Sequence, residues 1–347
     1  MRKEFDVGEV WHITSRSGTI IAVFLIAMLH ANSARAEPPV LSLPLECQPG
    51  KTCFIQNYVD VDPSNGVGDY LCRQSSYDGH RGVDFRLLSI RAIRRGVGVL
   101  AAAQGVVKAA RDGMADRLIA ANGAPAIKGR ECGNGVVVDH GGGWETQYCH
   151  LRKGSLLLTK GDPVRRGQRL GLVGLSGETA FPHVHMTLRY RGKTVDPFSG
   201  ALARDKKCGP KTVGKTLWQK DLLARLPHIS GQLLHMGFAQ GGVQKAALML
   251  NGGVRQPRSV RAPALVFYGQ ALNLSKGDRL SIRLTGPKGK IAHVLSEPMN
   301  RHKASYLLFA GKKRPGNAWP RGTYLGTFSL LRKGRQVWVR AQKMELR

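Results

Sequence analysis

Short runs of valine and leucine, separated by glycine and other turn-forming residues, fill the middle of the chain from residue 77 to residue 200. Runs of this length with such boundaries predict β-strands, and no segment of this region has the spacing of an amphipathic helix. We predict strands at residues 97–103, 106–110, 136–140, 145–150, 170–173 and 183–190. The pattern therefore indicates a compact, mainly β domain with antiparallel strands.

Two of these runs carry more information than the others. The strands at 136–140 and 145–150 are joined by Gly141-Gly142-Gly143, a glycine loop that favours a hairpin. In the last run, His183 and His185 are two residues apart, so they share one face of a strand. Val184, which lies between them, then points into the core.

The second half of the chain has a different pattern. Residues 201–255 contain two short stretches with helical spacing, 216–226 and 244–250, separated by glycine pairs, and we interpret them as a connector. Residues 256–347 contain a further series of short apolar runs with turn residues between them. We predict strands at 264–268, 280–284, 292–295, 306–309, 324–330 and 337–341, which together fit a small C-terminal β-sandwich.

The first 36 residues have the features of a secretory signal peptide. Arg16 precedes an apolar run at residues 18–29, and small residues end in Ala34-Arg35-Ala36. The run is short for a membrane-spanning helix, although an uncleaved anchor is the alternative. We therefore expect an exported protein, located in the periplasm or cell envelope.

Residues 37–76 are polar and contain three of the six cysteines, which indicates an N-terminal extension stapled by disulfides. An even number of cysteines in an exported chain favours disulfide bonds, but the sequence does not choose among the pairings. Cys47 and Cys53 bracket a Pro-Gly turn. Cys132 and Cys149 flank the predicted hairpin and fall almost opposite each other if one strand contains a one-residue bulge. If both pairs form, Cys72 and Cys208 are left to each other.

Charge is unevenly distributed along the chain. Residues 209–347 contain 25 basic and four acidic groups, which is +21 of the total charge of +30. Such a segment is suited to an anionic partner. Export argues against nucleic acid, and the basic residues lack interleaved aromatic residues and any nucleic-acid-binding motif. The expected partners are anionic cell-wall polymers or lipid headgroups.

Five residues of the middle region form a candidate catalytic set: His80, Asp84, His150, His183 and His185. His80 and Asp84 are four residues apart in a segment that we interpret as a loop loosened by Gly82. A catalytic zinc ion takes three protein ligands of nitrogen, oxygen or sulfur type and keeps a position for water. Two histidines and one carboxylate meet that need, and two histidines remain for proton transfer.

The order and spacing of these residues resemble the lysostaphin-like, LytM-type zinc endopeptidases of cell-wall metabolism. The resemblance covers residues 77–199 and rests on His80-x-x-x-Asp84, Tyr148-x-His150-Leu151 and His183-x-His185, together with the flanking segments 100–107, 135–143, 164–171 and 195–197. Three departures occur: Cys149 and Met186 replace the usual small and aromatic residues, and the loop between residues 108 and 132 is longer than usual.

The resemblance implies that His80, Asp84 and His185 bind one zinc ion per chain. His150 and His183 would act on the attacking water and the oxyanion. It further implies a mainly β catalytic domain with a zinc groove. The implied enzyme is a zinc metallopeptidase that hydrolyses the peptide cross-links of peptidoglycan. We expect the chain to be a monomer.

Alternative functions remain at this stage. The first is a catalytically idle LytM-like module that binds the cell wall or activates another hydrolase; such modules usually lack a ligand, whereas all five residues are present here. The second is a zinc peptidase that trims D-Ala-D-Ala termini, a class with wider ligand spacing and an acidic base. The sequence leaves open which peptide bond is cut and whether an inhibitory segment or partner controls the site.

Overall fold

The protein was studied in a computed structural model, which describes residues 37–118, 127–205 and 208–347. The predicted signal peptide at residues 1–36 lies outside the described residues. Residues 36–347 form one compact unit. None of the helices in the described part of the chain is long and apolar enough to cross a membrane.

Antiparallel strands dominate the described residues, as the sequence predicts. In chain order, the strands are β1 (Cys53–Asn57), β2 (Val83–Leu87), β3 (Gly98–Leu100), β4 (Gly105–Arg111), β5 (Asn134–Gly141), β6 (Trp144–Leu151), β7 (Pro163–Val164), β8 (Arg169–Leu172), β9 (His183–Tyr190), β10 (Lys193–Val195), β11 (Gln232–Ala239), β12 (Ala264–Leu274), β13 (Arg279–Gly286), β14 (Gly289–Leu295), β15 (Lys303–Lys313), β16 (Gly322–Arg332) and β17 (Arg335–Leu346). The described residues also contain three short helices, α1 (Ile90–Arg94), α2 (Lys220–Arg225) and α3 (Lys245–Asn251), and a 3-10 turn at Pro210–Lys215.

The central sheet has the strand order β1-β2-β9-β6-β5-β4-β7, and β10 pairs with the free part of β9. Hairpin β5–β6 forms where the sequence predicts it, with positive φ angles at Gly141, Gly142 and Gly143. Strand β9 alternates as expected: Val184 and Met186 are fully buried in the core, and His183 and His185 face the other side.

Strand β2 is the main element of this domain that the sequence analysis missed. Asp84 lies on this strand and not on a loop, and it pairs directly with His185 of β9. The run from Val83 to Leu87 is short, and it contains Asp84 and Arg86, which hide its strand character. Helix α1 was also missed; Ser89 caps its first turn by accepting a hydrogen bond from the Ala92 N–H.

The N-terminal extension is part of the central sheet. Strand β1 pairs with β2 at the sheet edge, with Asn57 opposite Asp84. Leu41 and Leu45 are buried in the core of the central sheet, and Leu41 forms a β-bridge with Trp218.

Residues 201–255, which the sequence suggests are a connector, contribute to the regions on both sides of them. Trp218, Leu222 and Leu226 belong to the hydrophobic core of the central sheet. Strand β11, at Gln232–Ala239, pairs along its length with β12 and therefore belongs to the C-terminal sheets. Intrinsic propensity does not show to which core these elements belong, because that depends on the surfaces against which they pack.

Two sheets form the C-terminal region, one with the order β11-β12-β15 and one with the order β14-β13-β16-β17. Their facing sides enclose a common core that includes Phe267, Ile282, Phe328 and Leu330, all fully buried. Asn273, at the end of β12, donates a hydrogen bond from Nδ2 to the carbonyl oxygen of Gln56 at 2.9 Å, and this contact joins the C-terminal sheets to β1.

All six cysteines are paired as the two local hints in the sequence suggested. Cys47 bonds Cys53, Cys132 bonds Cys149, and Cys72 bonds Cys208. Cys132 lies in the turn before β5, and its carbonyl oxygen accepts a hydrogen bond from the His150 N–H. The Cys132–Cys149 bond therefore joins this turn to β6, and the two cysteines are not opposite each other in the register of the hairpin.

Because Trp218 is only 2% exposed and packs against Phe85 and Phe198, replacing it with alanine should open a large cavity. We expect Trp218→Ala to lower the free energy of unfolding by roughly 3–5 kcal/mol. The control Leu157→Ala removes a side chain that is 64% exposed and should change stability by less than about 0.5 kcal/mol. Urea unfolding followed by circular dichroism measures both. Equal, small losses would show that residues near 218 are not part of this core.

Candidate metal centre

His80 lies in the loop before β2 and is held there by backbone contacts. Its Nδ1 is 2.7 Å from the carbonyl oxygen of Tyr58. The loop itself is fixed by Asp60, whose N–H donates to the carbonyl oxygen of His80 and whose Oδ2 accepts from the Gly79 N–H. His80 is 2% exposed, so its ring is part of a packed wall and not a mobile loop.

Gly82 has a role different from the flexibility that the sequence analysis gave it. A Cβ atom at this position would lie 2.5 Å from His185 Nε2 and 2.6 Å from the Met186 carbonyl oxygen. No side chain fits at that distance. Glycine is therefore required because the backbone of this segment passes directly against His185.

Asp84 and His185 face each other across the β2–β9 pair. His185 Nδ1 lies 2.9 Å from Asp84 Oδ1, and His80 Nε2 lies 3.1 Å from His185 Nδ1 and 3.2 Å from Asp84 Oδ1. His183, on the same face of β9, has its Nε2 at 3.6 Å from Asp84 Oδ1. Residues distant in sequence thus converge because two strands pair in this register.

His150 reaches the site through a break in strand alternation. Tyr148 is buried in the core and Cys149 lines the groove, so a regular strand would turn His150 into the core. The backbone of His150 instead has a φ of 66°, in the left-handed region that a non-glycine residue seldom occupies. As a result His150 lines the groove and Leu151 is fully buried in the core.

The surroundings of His150 are arranged to hold this conformation. Its N–H donates to the carbonyl oxygen of Cys132 at 2.9 Å, and its Nδ1 lies 2.8 Å from the carbonyl oxygen of Ser176. A Cβ on Gly133 would lie 2.4 Å from the Ser176 backbone, so these two segments touch directly. The Cys132–Cys149 disulfide ties the same segments together. Strained backbone persists where the surroundings over-determine it, and it is common at functional sites.

The ring protons of the four histidines are directed away from the centre of the site. A carbonyl oxygen can only accept, so Nδ1 must carry the proton in His80, in His150 and in His183, whose Nδ1 is 2.8 Å from the Phe181 carbonyl oxygen. His185 Nε2 lies 3.0 Å from Thr187 Oγ1, which suits a proton on Nε2. The nitrogen that faces the centre is therefore a lone-pair acceptor in each ring.

This arrangement leaves the centre with acceptors and no donors. Asp84 Oδ1, His80 Nε2 and His185 Nδ1 approach one another closely, although none of them has a hydrogen to share. A tetrahedral zinc ion with bonds of about 2.0–2.1 Å separates its ligands by about 3.3 Å, close to the spacings found here. The donor set therefore fits a divalent cation such as zinc.

Electrostatics agree with a centre built around one carboxylate. Burial alone would raise the pKa of Asp84, but the charges of the His80 and His183 rings and the close contacts with His185 and His80 lower that pKa well below its ordinary value. For a histidine burial has the opposite effect, and it lowers the pKa of His150, with further lowering by the charges of His183 and His185. Burial would lower the pKa of His80, but Asp84 outweighs it and the pKa of His80 is raised.

The five residues line one side of a groove of about 940 Å³. Its floor includes Gln147 of β6 and Thr187 of β9, and charged side chains stand along it: Arg81, Arg111, Arg189, Glu131 and Glu178. The long loop that the sequence analysis noted, residues 108–132, lies partly outside the described residues; where it is described, Asp116 accepts a hydrogen bond from the Leu175 N–H.

All five sequence-predicted residues therefore come together, and two supporting residues were missed. Asn57 donates a hydrogen bond from Nδ2 to Asp84 Oδ2 at 2.7 Å, and Thr187 holds the outer nitrogen of His185. Thr187 could have been found by extending the same-face pattern of His183 and His185 by two residues. Asn57 gave no local signal. His140 does not join the five residues, because its ring contacts the Gln104 carbonyl oxygen and Thr146 Oγ1.

Comparison with known proteins identifies the relatives of this region. Residues 78–197 match the model of peptidase family M23. The chain is 47% identical over 64 residues to the peptidoglycan DD-endopeptidase ShyA of Vibrio cholerae, a match that covers 18% of this chain and 14% of ShyA. It is 39% identical over 84 residues to the DD-carboxypeptidase/endopeptidase Mpg of Neisseria meningitidis, covering 24% of this chain and 19% of Mpg. The matched stretch thus spans less than a fifth of either relative.

The solved structures to which this chain is similar include two catalytic domains. The catalytic domain of the peptidase lysostaphin from Staphylococcus simulans is 20% identical, with 41% of this chain and 87% of that chain covered and a TM-score of 0.27. The catalytic domain of the M23 protein EnpA from Enterococcus faecalis is 23% identical, with 41% and 88% covered and a TM-score of 0.28.

The contacts around His150 predict what the Cys132–Cys149 bond does. We expect Cys132→Ala/Cys149→Ala to raise amide hydrogen exchange at residues 131–134 and 149–151, because the covalent tie between these segments is lost. A disulfide that closes a loop of this length stabilises by about 3 kcal/mol. Hydrogen exchange read by mass spectrometry measures the local effect.

The matched control is Cys47→Ala/Cys53→Ala, which removes a disulfide from a turn before β1. It should leave exchange near His150 unchanged. Unchanged exchange at residues 149–151 in the first variant would mean that hydrogen bonds alone hold the left-handed backbone of His150.

Proposed function

We propose that residues 78–197, which match the model of peptidase family M23, form a zinc-dependent endopeptidase domain that hydrolyses the peptide cross-links of peptidoglycan. The observation that supports this most directly is the cluster of three acceptor atoms: Asp84 Oδ1, His80 Nε2 and His185 Nδ1. The other ring nitrogen of each histidine carries the proton and contacts an oxygen outside the cluster.

In this proposal His80, Asp84 and His185 hold one zinc ion per chain. When bound, zinc would lower the pKa of a water molecule and polarise the scissile carbonyl group. The chain contributes the orientation of each ligand. Tyr58 orients His80, Asn57 orients Asp84 and Thr187 orients His185, and outer contacts of this kind fix ring rotation and ligand basicity.

His150 and His183 act on protons. Their ring centroids are 4.6 Å apart, and each ring keeps its Nδ1 proton on a backbone carbonyl oxygen. Each therefore presents Nε2 as a base towards the groove. One takes a proton from the attacking water, and after protonation the ring can donate to the oxyanion or to the leaving amine. Burial favours the neutral form of both rings, which is the form a general base needs.

The substrate assignment rests on the relatives and on the groove. ShyA is named a peptidoglycan DD-endopeptidase and Mpg a DD-carboxypeptidase/endopeptidase. We infer from these names that the cross-link between two D-configured centres is cleaved here and not a glycine bridge. Three arginines and two glutamates along the groove suit a peptide that carries both carboxylates and an amine.

The setting of the enzyme follows from the same proposal. We propose that the protein is exported through residues 1–36 and acts in the periplasm or cell envelope as a monomer, with residues 77–200 as the catalytic domain. Three disulfides fit an oxidising compartment. The idle-module alternative is disfavoured because the five site residues are all present and are brought together.

The mature protein should cleave cross-linked muropeptide dimers into monomers, and a metal chelator should stop this cleavage. His80→Ala and His185→Ala should lose bound zinc, because each removes a ligand. His150→Ala and His183→Ala should keep about one zinc per chain and lose turnover by roughly 10²–10⁴-fold, the usual contribution of a general acid or base. Mass spectrometry of muropeptides and metal analysis of the purified variants provide the two measurements.

Several outcomes would contradict the proposal. Zinc loss in both pairs of variants, or in neither, would contradict the division of roles. Stoichiometric zinc in a wild-type protein that leaves muropeptide dimers intact, with or without sacculi present, would favour the idle module.

Thr187 allows a finer test of the ligand assignment. We expect Thr187→Val, which keeps the side-chain shape but removes the oxygen next to His185 Nε2, to weaken zinc binding by roughly 10–100-fold. The control is Thr194→Val on β10, a partly buried threonine on the neighbouring strand. Competition with a chromogenic chelator measures both affinities. Equal affinities would indicate that His185 is not a ligand through Nδ1.

A further inference from the structure

Basic residues of the C-terminal region concentrate at one end of its two sheets. Four separate segments meet there: 258–261, 286–290, 312–321 and 343–347, which together we call the basic end. They contain ten lysines and arginines and one glutamate. Nine of the ten basic side chains are exposed, and Arg314 is half-buried.

Strand pairing and loop contacts bring these segments together. Lys313 pairs with Ala264, the first residue of β12, and Gly322 pairs with Leu346 near the chain end. Trp319 joins the two sheets: its N–H donates to the Val260 carbonyl oxygen at 2.8 Å and its Nε1 to the Ala262 carbonyl oxygen at 2.9 Å. The 286–290 turn lies beside Gly322, where a Cβ would come within 3.0 Å of Pro287.

The fold does not neutralise this charge. Among the described residues, the basic end contains no ion pair, and its one acid, Glu345, accepts a hydrogen bond from Thr323. In the same region, the salt bridge that does form, Arg332 with Asp278, lies at the opposite end of the sheets. Nine net positive charges in one place repel one another, and this repulsion destabilises the free protein unless an anionic partner offsets it.

The chemistry of the basic end argues for a polymer and against a bilayer. Basic elements that insert into the membrane interface combine their charge with aromatic or large aliphatic anchors. The exposed large apolar residues of the described chain all lie outside the four segments, and Trp319 is 5% exposed. An anchor-free array of lysine and arginine fits a hydrated polyanion whose charges repeat along its length.

We propose that the basic end is a docking surface for the peptidoglycan polymer itself, bound through the carboxylates of its peptide stems. This rests on the proposed function, since it assigns the same polymer to the groove and to the docking surface. Binding through a second, non-catalytic surface raises the local substrate concentration at the groove without changing the chemistry there. Because the contact is electrostatic and exposed, salt should weaken it strongly.

The test compares two full-length variants that lose the same charge. In the first, five exposed side chains of the basic end become glutamine: Lys288, Lys290, Lys312, Lys313 and Arg321. In the control, five exposed arginines of the central-sheet region, all outside the groove lining, become glutamine: Arg91, Arg94, Arg95, Arg165 and Arg166. Circular dichroism and thermal unfolding confirm that both fold.

Co-sedimentation with purified sacculi is measured across a salt titration, together with turnover of a small soluble muropeptide dimer. We expect the first variant to bind sacculi roughly tenfold or more weakly at about 0.15 M salt, where screening acts over about 8 Å, and to cleave the soluble dimer at the wild-type rate. The control variant should bind sacculi with an affinity close to that of the wild type.

Each other outcome overturns the proposal in a recognisable way. Equal loss of sacculus binding in both variants would mean that total charge matters and not the basic end. Unchanged binding in the first variant would remove the docking role. Both variants are also tested for co-sedimentation with vesicles of anionic phospholipid. If the first variant lost binding to these vesicles but still bound sacculi like the wild type, the basic end would be a lipid-binding surface. Failure of the wild type to cleave the soluble dimer concerns the proposed function alone, because sacculus binding is read separately.

Discussion

Asp84 Oδ1 lies within 2.9–3.6 Å of three imidazole nitrogens. The outer contacts of the three rings favour tautomers in which each of these nitrogens turns a lone pair towards the carboxylate. Lone pairs at such distances repel one another, and a divalent cation between them would offset that repulsion. Much of the surrounding structure holds these groups together: Tyr58, Asn57 and Thr187 orient the side chains, and Gly82 gives the backbone room to pass His185. Bound metal would return free energy to the fold, since metal binding and folding are coupled.

Orientation of His80 depends on residues far outside the matched domain. The carbonyl oxygen of Tyr58 holds the His80 ring, and the Tyr58 ring stacks on His228 at 4.6 Å. His228 Nε2 donates to the buried Asp69 at 2.7 Å, and Arg73 donates to His228 Nδ1. The N-terminal extension and the segment after the domain thus form one packed support behind His80.

His150 illustrates a second constraint: an unfavourable backbone conformation is needed to place its imidazole in the groove. Its left-handed backbone is unfavourable by about 1–3 kcal/mol, and the disulfide, the Cys132 carbonyl oxygen and the Ser176 carbonyl oxygen offset that cost. A regular strand would have buried the imidazole in the core.

The C-terminal sheets dock through a further buried polar contact, in which His235 Nε2 lies 3.0 Å from the Leu88 carbonyl oxygen. Burial, together with the charge of Arg86, lowers the pKa of His235 to about 4, so the ring is neutral.

By itself, the sequence determined the features that repeat with a local period. The apolar runs located most strands, alternation in β9 put His183 and His185 on one face, and residue types and spacing selected the five site residues. Only the tertiary structure decided how distant strands register. The pairing of Asp84 with His185, the contact of Asn57 with Asp84 and the reversal at His150 depend on hydrogen bonds between segments that are remote in sequence, and no local pattern encodes them. The same holds for the basic end: its charges were visible in the sequence, but their concentration at one end follows from strand pairing, because pairing alone determines which turns become neighbours.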